Sequence, residues 1–341
     1  MTTFLYILLA VLAFGAMVFI HEAGHFFVAR ACGVKIYEFA IGMGPKIFGW
    51  QGKDGTLYNL RLFPIGGFVS MKGEDEDADG EDSFSSKSAG KRFIIVAAGA
   101  IMNVVLGVII TFALVMSSNI GSTVVANFAD GAVSSEWLMV GDKITSVNGS
   151  SVYTDRQLSY EILHDAYKPV DVVVIRGGEK ITLKGVTFPT DAVSGLLYGK
   201  PDFQVYAEGK NFFSVAKHTF FDSVSTVKMR WESLLDLVFG RVGVEAVSGP
   251  VGVAGAITEA ARSGASQFFY LISVLTMNLG VFNLLPVPAL DGGRLLFILF
   301  ELVFRRKVPQ KFESAVHFAG IVLLLGLMVL ITFKDITSLF N

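Results

Sequence analysis

Four long apolar runs interrupt an otherwise mixed pattern of polar and hydrophobic positions in this 341-residue chain. Residues 3–20 carry no charge, and the run predicts a helix from about Thr3 to about Ala29, closing with Arg30 at an interface. A second run, about Phe93 to Met116, has an uncharged interior. A third starts near Gln267 and stays apolar to Leu285, except at Asn278 and Asn283; a fourth covers Ala315 to Phe333. About 20 apolar residues cross a bilayer as a helix. The pattern therefore predicts a polytopic α-helical membrane protein with four transmembrane helices.

The intervening stretches have other periods. Val34 to Trp50 mixes glycine with aromatic residues and predicts a membrane-associated loop. Thr56 to Phe63 has strand-forming residues, Pro64-Ile65-Gly66-Gly67 bends the chain and Phe68 to Met71 returns it, so a membrane-associated β-hairpin is expected. Non-helical backbone at membrane depth persists only against protein or a water-filled cavity. The hairpin thus either borders a site or lies on the surface. Seven of the ten residues 73–82 are acidic, which predicts a solvated loop.

From about Gly121 to Phe188 the composition turns soluble. A short helical turn, a Gly141-Asp142 turn, a strand and an Asn148-Gly149 turn precede a helical segment, Asp155 to Ala166, and two strands joined at Gly177-Gly178. This order, with the string Gly141-Asp142-Lys143-Ile144-Thr145-Ser146-Val147-Asn148-Gly149, resembles a small α/β PDZ domain, which binds extended peptide by strand addition. Asn211 to Phe239 predicts an amphipathic helix that lies on the membrane or packs on that domain, and Ser248 to Gly252 a turn. The chain divides into residues 1–117, the inserted PDZ-like domain 118–205, an amphipathic connector 206–265 and a helical end 266–341.

Composition sharpens this picture. Hydrophobic residues make up 52% and charged residues 17%, with a mean hydropathy of +0.57, too apolar for an ordinary soluble protein. A net charge of -2 supplies no basic field for nucleic acid. The lone Cys32 excludes an internal disulfide framework and a multi-cysteine zinc site. The first apolar run has no basic n-region before it and no small-residue cleavage site after it, so it is expected to stay as a helix. Basic residues gather at Arg30, Lys35 and Lys46, at Lys87, Lys91 and Arg92, and at Arg305, Arg306, Lys307 and Lys311. All three groups fall on one side of a four-helix arrangement, the cytoplasm by the positive-inside rule. Both termini and the PDZ-like domain then face outward, and the site lies toward the cytoplasmic leaflet.

The chemistry sits at His21-Glu22-Ala23-Gly24-His25, near the end of the first helix. An i, i+4 pair puts both imidazoles on one face, where they can share a metal, with Glu22 beside them to take a proton from metal-bound water. Ionisable groups in a bilayer are costly and mark function. Downstream, Asn283-Leu284-Leu285-Pro286-Val287-Pro288-Ala289-Leu290-Asp291-Gly292-Gly293 breaks and restarts a helix. Asp291 lies in the break, either as a third zinc ligand completing a set with water in the fourth position or as a helix N-cap. In the second helix, buried Asn103 either joins helices or serves the site.

Together these motifs resemble the site-2 protease family of intramembrane zinc metalloproteases, in its bacterial RseP/RasP-like branch with one PDZ domain, over nearly the whole chain. The resemblance implies zinc held by His21, His25 and Asp291, Glu22 as catalytic base, and Asn283 helping to hold substrate. Phe63 to Val69, including Gly66 and Gly67, resembles the family's re-entrant β-loop, which with Asn103 completes the implied substrate-binding set. The family's second helix carries Gly-Pro-x-x-Asn, whereas this chain has Gly99-Ala100-Ile101-Met102-Asn103. The implied location is a bacterial cytoplasmic membrane. The implied partners are the lipid bilayer and single-span membrane proteins, such as anti-sigma factors or signal-peptide remnants, already trimmed of their outer domain. An extended substrate would add to the strand edges Leu57 to Phe63 and Phe68 to Met71. A membrane-bound PDZ scaffold with a vestigial metal site is the alternative, against which the intact His21, Glu22, His25 and Asp291 argue. A metal transporter would need ionisable groups along several helices, and the second and fourth have almost none.

Overall fold

A computed structural model describes residues 2–74, 80–193, 196–240, 243 and 247–338. The middle of the acidic loop expected at 73–82 thus lies outside the described residues. The chain forms two compact units, residues 1–107 with 247–341, and residues 108–246.

In the first unit, helix α1 (Thr2–Ala31) leads into strands β1 (Ile36–Gln51) and β2 (Leu57–Met71), followed by helix α2 (Ala89–Ser117), whose last turns enter the second unit. After the second unit come α5 (Pro250–Ser263), α6 (Ala265–Asn283), α7 (Asp291–Phe304) and α8 (Gln310–Ser338). Among the described residues four helices are long and apolar enough to cross a membrane: Phe4–Ala31, Ala89–Ser117, Ala265–Asn283 and Lys311–Thr337. α5 replaces the turn expected at 248–252. Pro250 occupies the start of this helix, where its missing N–H is an orphan donor in any case.

Two expectations about the β region are corrected. Val34 to Trp50 is not a loop: most of it is β1, and the hairpin closes at residues 52–56 rather than at Pro64 to Gly67, which lie inside β2. The sequence signal fails because Gly42, Gly44 and Gly66 bend the strands at φ of 86°, 84° and 79°, hiding the alternation of a straight strand. The bent strands touch in three stretches. Ile36 lies opposite Met71 and Ile41 opposite Gly67; Gln51 lies opposite Leu57 and Lys46 opposite Arg61; Phe39 lies opposite Tyr58 as well as Val69. Residues 57–60 are therefore paired on both sides and leave no free edge, whereas residues 67–71 have one strand neighbour among the described residues. The sheet is part of the packed unit: Phe39 and Val69 share a core with Phe26 of α1, Ile95 of α2 and Leu295 and Ile298 of α7.

The second unit carries β3 (Ile120–Phe128), β4 (Lys143–Val147), β5 (Ser150–Ser151), α3 (Asp155–Asp165), β6 (Val170–Arg176), β7 (Glu179–Val186), the hairpin β8 (Thr190–Val193) and β9 (Leu196–Gly199), β10 (Phe203–Glu208) and α4 (Phe212–Val238). Its sheet runs β10-β3-β4-β6-β7, with β5 beside β4. Val125, Ile144, Ile162, Val172 and Val174 fill its core. Inside, Asp142 accepts from Arg176 at 2.7 Å through each carboxylate oxygen and from the Met139 N–H at 2.8 Å. Burial pushes this carboxyl up, but those hydrogen bonds and the guanidinium charge outweigh it and hold it below the usual carboxylate range. α4 starts in a capping box made by Asn211 and Ser214. Its polar side lies along α3, where Thr154 donates to Asp222 at 2.7 Å, Lys228 to Glu161 at 2.5 Å and Tyr160 to Glu232. Phe213, Phe220 and Trp231 stay exposed on its other side. A polar seam thus faces the domain and an aromatic stripe faces away.

Candidate metal centre

α1 is uncharged up to the point where its chemistry begins. Its helical period sets His21 and His25 one turn apart, with ring centroids 4.8 Å apart and Nε2 atoms 3.3 Å apart. Both are nearly buried, at 9% and 8% exposure. Asp291 arrives from the far end of the sequence as the first residue of α7. It is not the N-cap, a position held by Leu290. Its Oδ2 lies 3.3 Å from Nε2 of His21 and 3.3 Å from Nε2 of His25. That oxygen is buried and, among the described residues, has no hydrogen-bond partner beyond these two rings.

Three donor atoms at the corners of a 3.3 Å triangle have a plain chemical meaning. Zinc bonds of about 2.0–2.1 Å in a tetrahedron put neighbouring ligand atoms about 3.3–3.4 Å apart. Two imidazoles and one carboxylate fit a catalytic site that keeps a fourth position open. His21, His25 and Asp291 form the metal-capable cluster among the described residues.

The surrounding elements are shaped to hold this triangle. α2 runs beside α1 and presents Ile95, Gly99 and Asn103, one helical turn apart. The Ile95 carbonyl lies 2.9 Å from His25 Nδ1. Gly99 leaves room for the rings: a Cβ there would stand 2.2 Å from His25 Nε2 and 2.8 Å from His21 Cε1. Asn103 is fully buried, with Nδ2 3.2 Å from His21 Nδ1. Its backbone carbonyl accepts from Thr276 Oγ1 of α6 at 3.2 Å.

The break before α7 is equally supported. A Cβ on Gly292 would meet the Leu285 carbonyl oxygen at 2.0 Å, so only glycine lets the restarted helix fold back onto the break. Ala289 adopts φ of 77°, and its N–H donates to His317 Nδ1 of α8 at 3.3 Å. Further along α7, Glu301 takes two 2.6 Å hydrogen bonds from Arg92 of α2, and Arg294 pairs with Glu74. No local pattern announces His317, Arg92 or Glu301.

The remaining sequence-selected residues fall as follows. Glu22 is half-buried on α1. Gly67 is its neighbour, since a Cβ built there would lie 3.0 Å from Glu22 Cγ and 3.0 Å from the Ala40 carbonyl oxygen. Gly66 faces the Met43 side chain instead. Asn283 is the half-buried last residue of α6. Asn103 is fully buried beside His21.

A histidine pair, a distant carboxylate and an adjacent glutamate, set among membrane-length apolar helices, define a metal centre of the hydrolytic kind. The chain belongs to peptidase family M50, whose model matches residues 9–327. A protein of Clostridium perfringens provisionally named a zinc metalloprotease is 36% identical over 97% of this chain and 98% of its own length. The zinc metalloprotease RasP of Shouchella clausii is 30% identical over 98% and 99%. The regulator of sigma-W protease RasP of Bacillus subtilis is 28% identical over 97% and 98%.

Proposed function

We propose that this chain is an intramembrane zinc metalloprotease that cuts the membrane-spanning segments of other membrane proteins. The observation that carries the reading is the 3.3 Å triangle of His21, His25 and Asp291 beside Glu22. The enzyme is a metalloprotease and its metal is zinc, held by those three side chains. Bound zinc supplies a Lewis acid that polarises the scissile carbonyl and makes water nucleophilic near neutral pH. Glu22 takes the proton from the attacking water and passes it to the leaving amine. The 2.9 Å contact of His25 Nδ1 with the Ile95 carbonyl fixes that ring while the proton moves.

Substrate must present an extended backbone, because a helix hides its carbonyls in i to i-4 hydrogen bonds. Of the two strand edges expected to receive it, the first is closed over residues 57–60 by their double pairing. The edge at 67–71, whose Gly67 adjoins Glu22, is the one that accepts the unwound segment by strand addition. Asn283 bonds to its freed backbone. The domain built on the six-stranded sheet is PDZ-like and acts as a size filter or C-terminus reader, so substrates are single-span proteins already trimmed of their outer part. The protein resides in a bacterial cytoplasmic membrane, with both termini and the PDZ-like domain outside and the metal toward the cytoplasmic leaflet.

The test is a reconstituted cleavage assay with a single-span helix bearing a short outer tail. Glu22→Gln is expected to keep about one zinc per chain and to lose cleavage, whereas His21→Ala and Asp291→Ala lose zinc. Full zinc occupancy in either of the latter two would overturn the ligand set. Cleavage of the same helix carrying a bulky folded outer domain, at the rate of the short one, would rule out the filter.

A further inference from the structure

The two metal-facing histidines are supported differently. A histidine that gives Nε2 to a metal carries its proton on Nδ1, and what accepts that proton decides whether the ring is held in the binding tautomer. For His25 the acceptor is main chain, the Ile95 carbonyl at 2.9 Å. For His21 the neighbour is a side chain. Asn103 Nδ2 lies 3.2 Å from His21 Nδ1, while its Oδ1, equally buried, has no hydrogen-bond partner among the described residues.

That orientation sets an N–H donor against an Nδ1–H donor, and it is compatible only with the tautomer protonated on Nε2, which cannot bind a metal through that nitrogen. An asparagine amide has nearly the same shape with oxygen and nitrogen exchanged. Turned over, it places the unpartnered oxygen 3.2 Å from Nδ1, where it accepts the proton. The carbonyl of Asn103 is itself tied to Thr276, so the amide is presented from a fixed turn of α2.

We propose that Asn103 is a positioning residue: its side-chain oxygen accepts the Nδ1 proton of His21 and holds Nε2 free toward His25 and Asp291. This rests on the reading of those three side chains as zinc ligands. It separates Asn103 from the residues that touch substrate and gives α2 a direct part in metal affinity.

The experiment is chelator competition for zinc on the purified full chain in detergent, with Asn103→Leu and Asn103→Asp. Leucine keeps the volume and removes the acceptor, so zinc affinity should fall about 10–100-fold, the usual effect of losing such a partner. Aspartate keeps the acceptor and should stay within a few-fold of the parent protein. Equal affinities for the two variants overturn the proposal, because a purely structural role has no reason to distinguish them in this order. His21→Ala run alongside separates the two readings: if it retains zinc, the ligand set is wrong, and if it loses zinc while Asn103→Leu does not, only the role of Asn103 is. Should a variant fail to fold, ¹⁵N ring spectra of the zinc-loaded parent protein decide. A His21 Nδ1–H shifted downfield like that of His25, whose acceptor is the Ile95 carbonyl, is expected, and the shift of a ring N–H without an acceptor overturns the proposal.

Discussion

Replacing Gly99 by alanine adds one methyl group at the most crowded point of the metal centre. The new carbon would stand 2.2 Å from His25 Nε2 and 2.8 Å from His21 Cε1, against about 3.5 Å for an ordinary contact. Something must therefore move by about 1.3 Å. The helices cannot simply part, because α1 and α2 already meet closely at Gly24, where a Cβ would lie 2.5 Å from the Ala98 carbonyl oxygen. His25 is also tied to α2 through Ile95. The rings must give way, and a displacement near 1 Å in a catalytic constellation costs about 10²-fold in rate. Overpacking of this kind also destabilises by about 1–3 kcal/mol. Zinc per chain after dialysis against a weak chelator, and cleavage of a single-span helix in proteoliposomes, measure both consequences. Gly15→Ala is the control, since it lies on the same helix as the histidines with nothing within 4 Å of its Cβ position, and it should leave both readouts unchanged. Wild-type zinc retention and cleavage in Gly99→Ala would refute the steric argument.

Three other outcomes follow from the same structure. Arg92→Gln leaves the Glu301 carboxylate, 17% exposed, without its double hydrogen bond and should destabilise the protein by about 3–5 kcal/mol in a denaturation assay; the pair Arg92→Leu with Glu301→Leu should recover most of the loss. Asp142→Asn should cost about 1–3 kcal/mol by removing the charge-assisted pair with Arg176, which keeps its bond to the Trp137 carbonyl. Because the folded carboxyl is depressed, its contribution is complete above the unfolded value of about 3.9 and is lost as pH falls through the folded value, so acid melts followed by tryptophan fluorescence should be steeper for the parent protein than for the variant. Ser150→Cys in a Cys32→Ser background should react with an impermeant thiol reagent from outside intact cells, and protection until lysis would overturn the proposed outward placement of the unit 108–246.

Much of the first unit can be read directly because its signals are local. Eighteen uncharged residues, 3–20, mark a membrane-length helix, and the spacing of His21 and His25 alone puts both rings on one face. Asp291 was legible because prolines and glycines surround it. What escaped was set by tertiary geometry. β1 was hidden by glycines at positive φ, and α5 by a proline that starts the helix instead of ending it. Arg92 meets Glu301 across 209 positions, and His317 meets Ala289 through a backbone N–H; no periodicity encodes either. Gly99 carries no signal of its own in the string Gly99 to Asn103, although its missing side chain is what admits the two rings. Asn103 left two roles open, and the structure gives it contacts of both kinds, its carbonyl to Thr276 of α6 and its amide beside His21.

The route that the chain takes to complete its triangle also orders events in time. His21 and His25 emerge early in synthesis, and Asp291 emerges after most of the chain, including the whole inserted unit of residues 108–246, has been made. A nascent or prematurely terminated chain therefore carries two histidines and a glutamate with no third corner. Distance along the sequence alone thus leaves the triangle one corner short until α7 has been made.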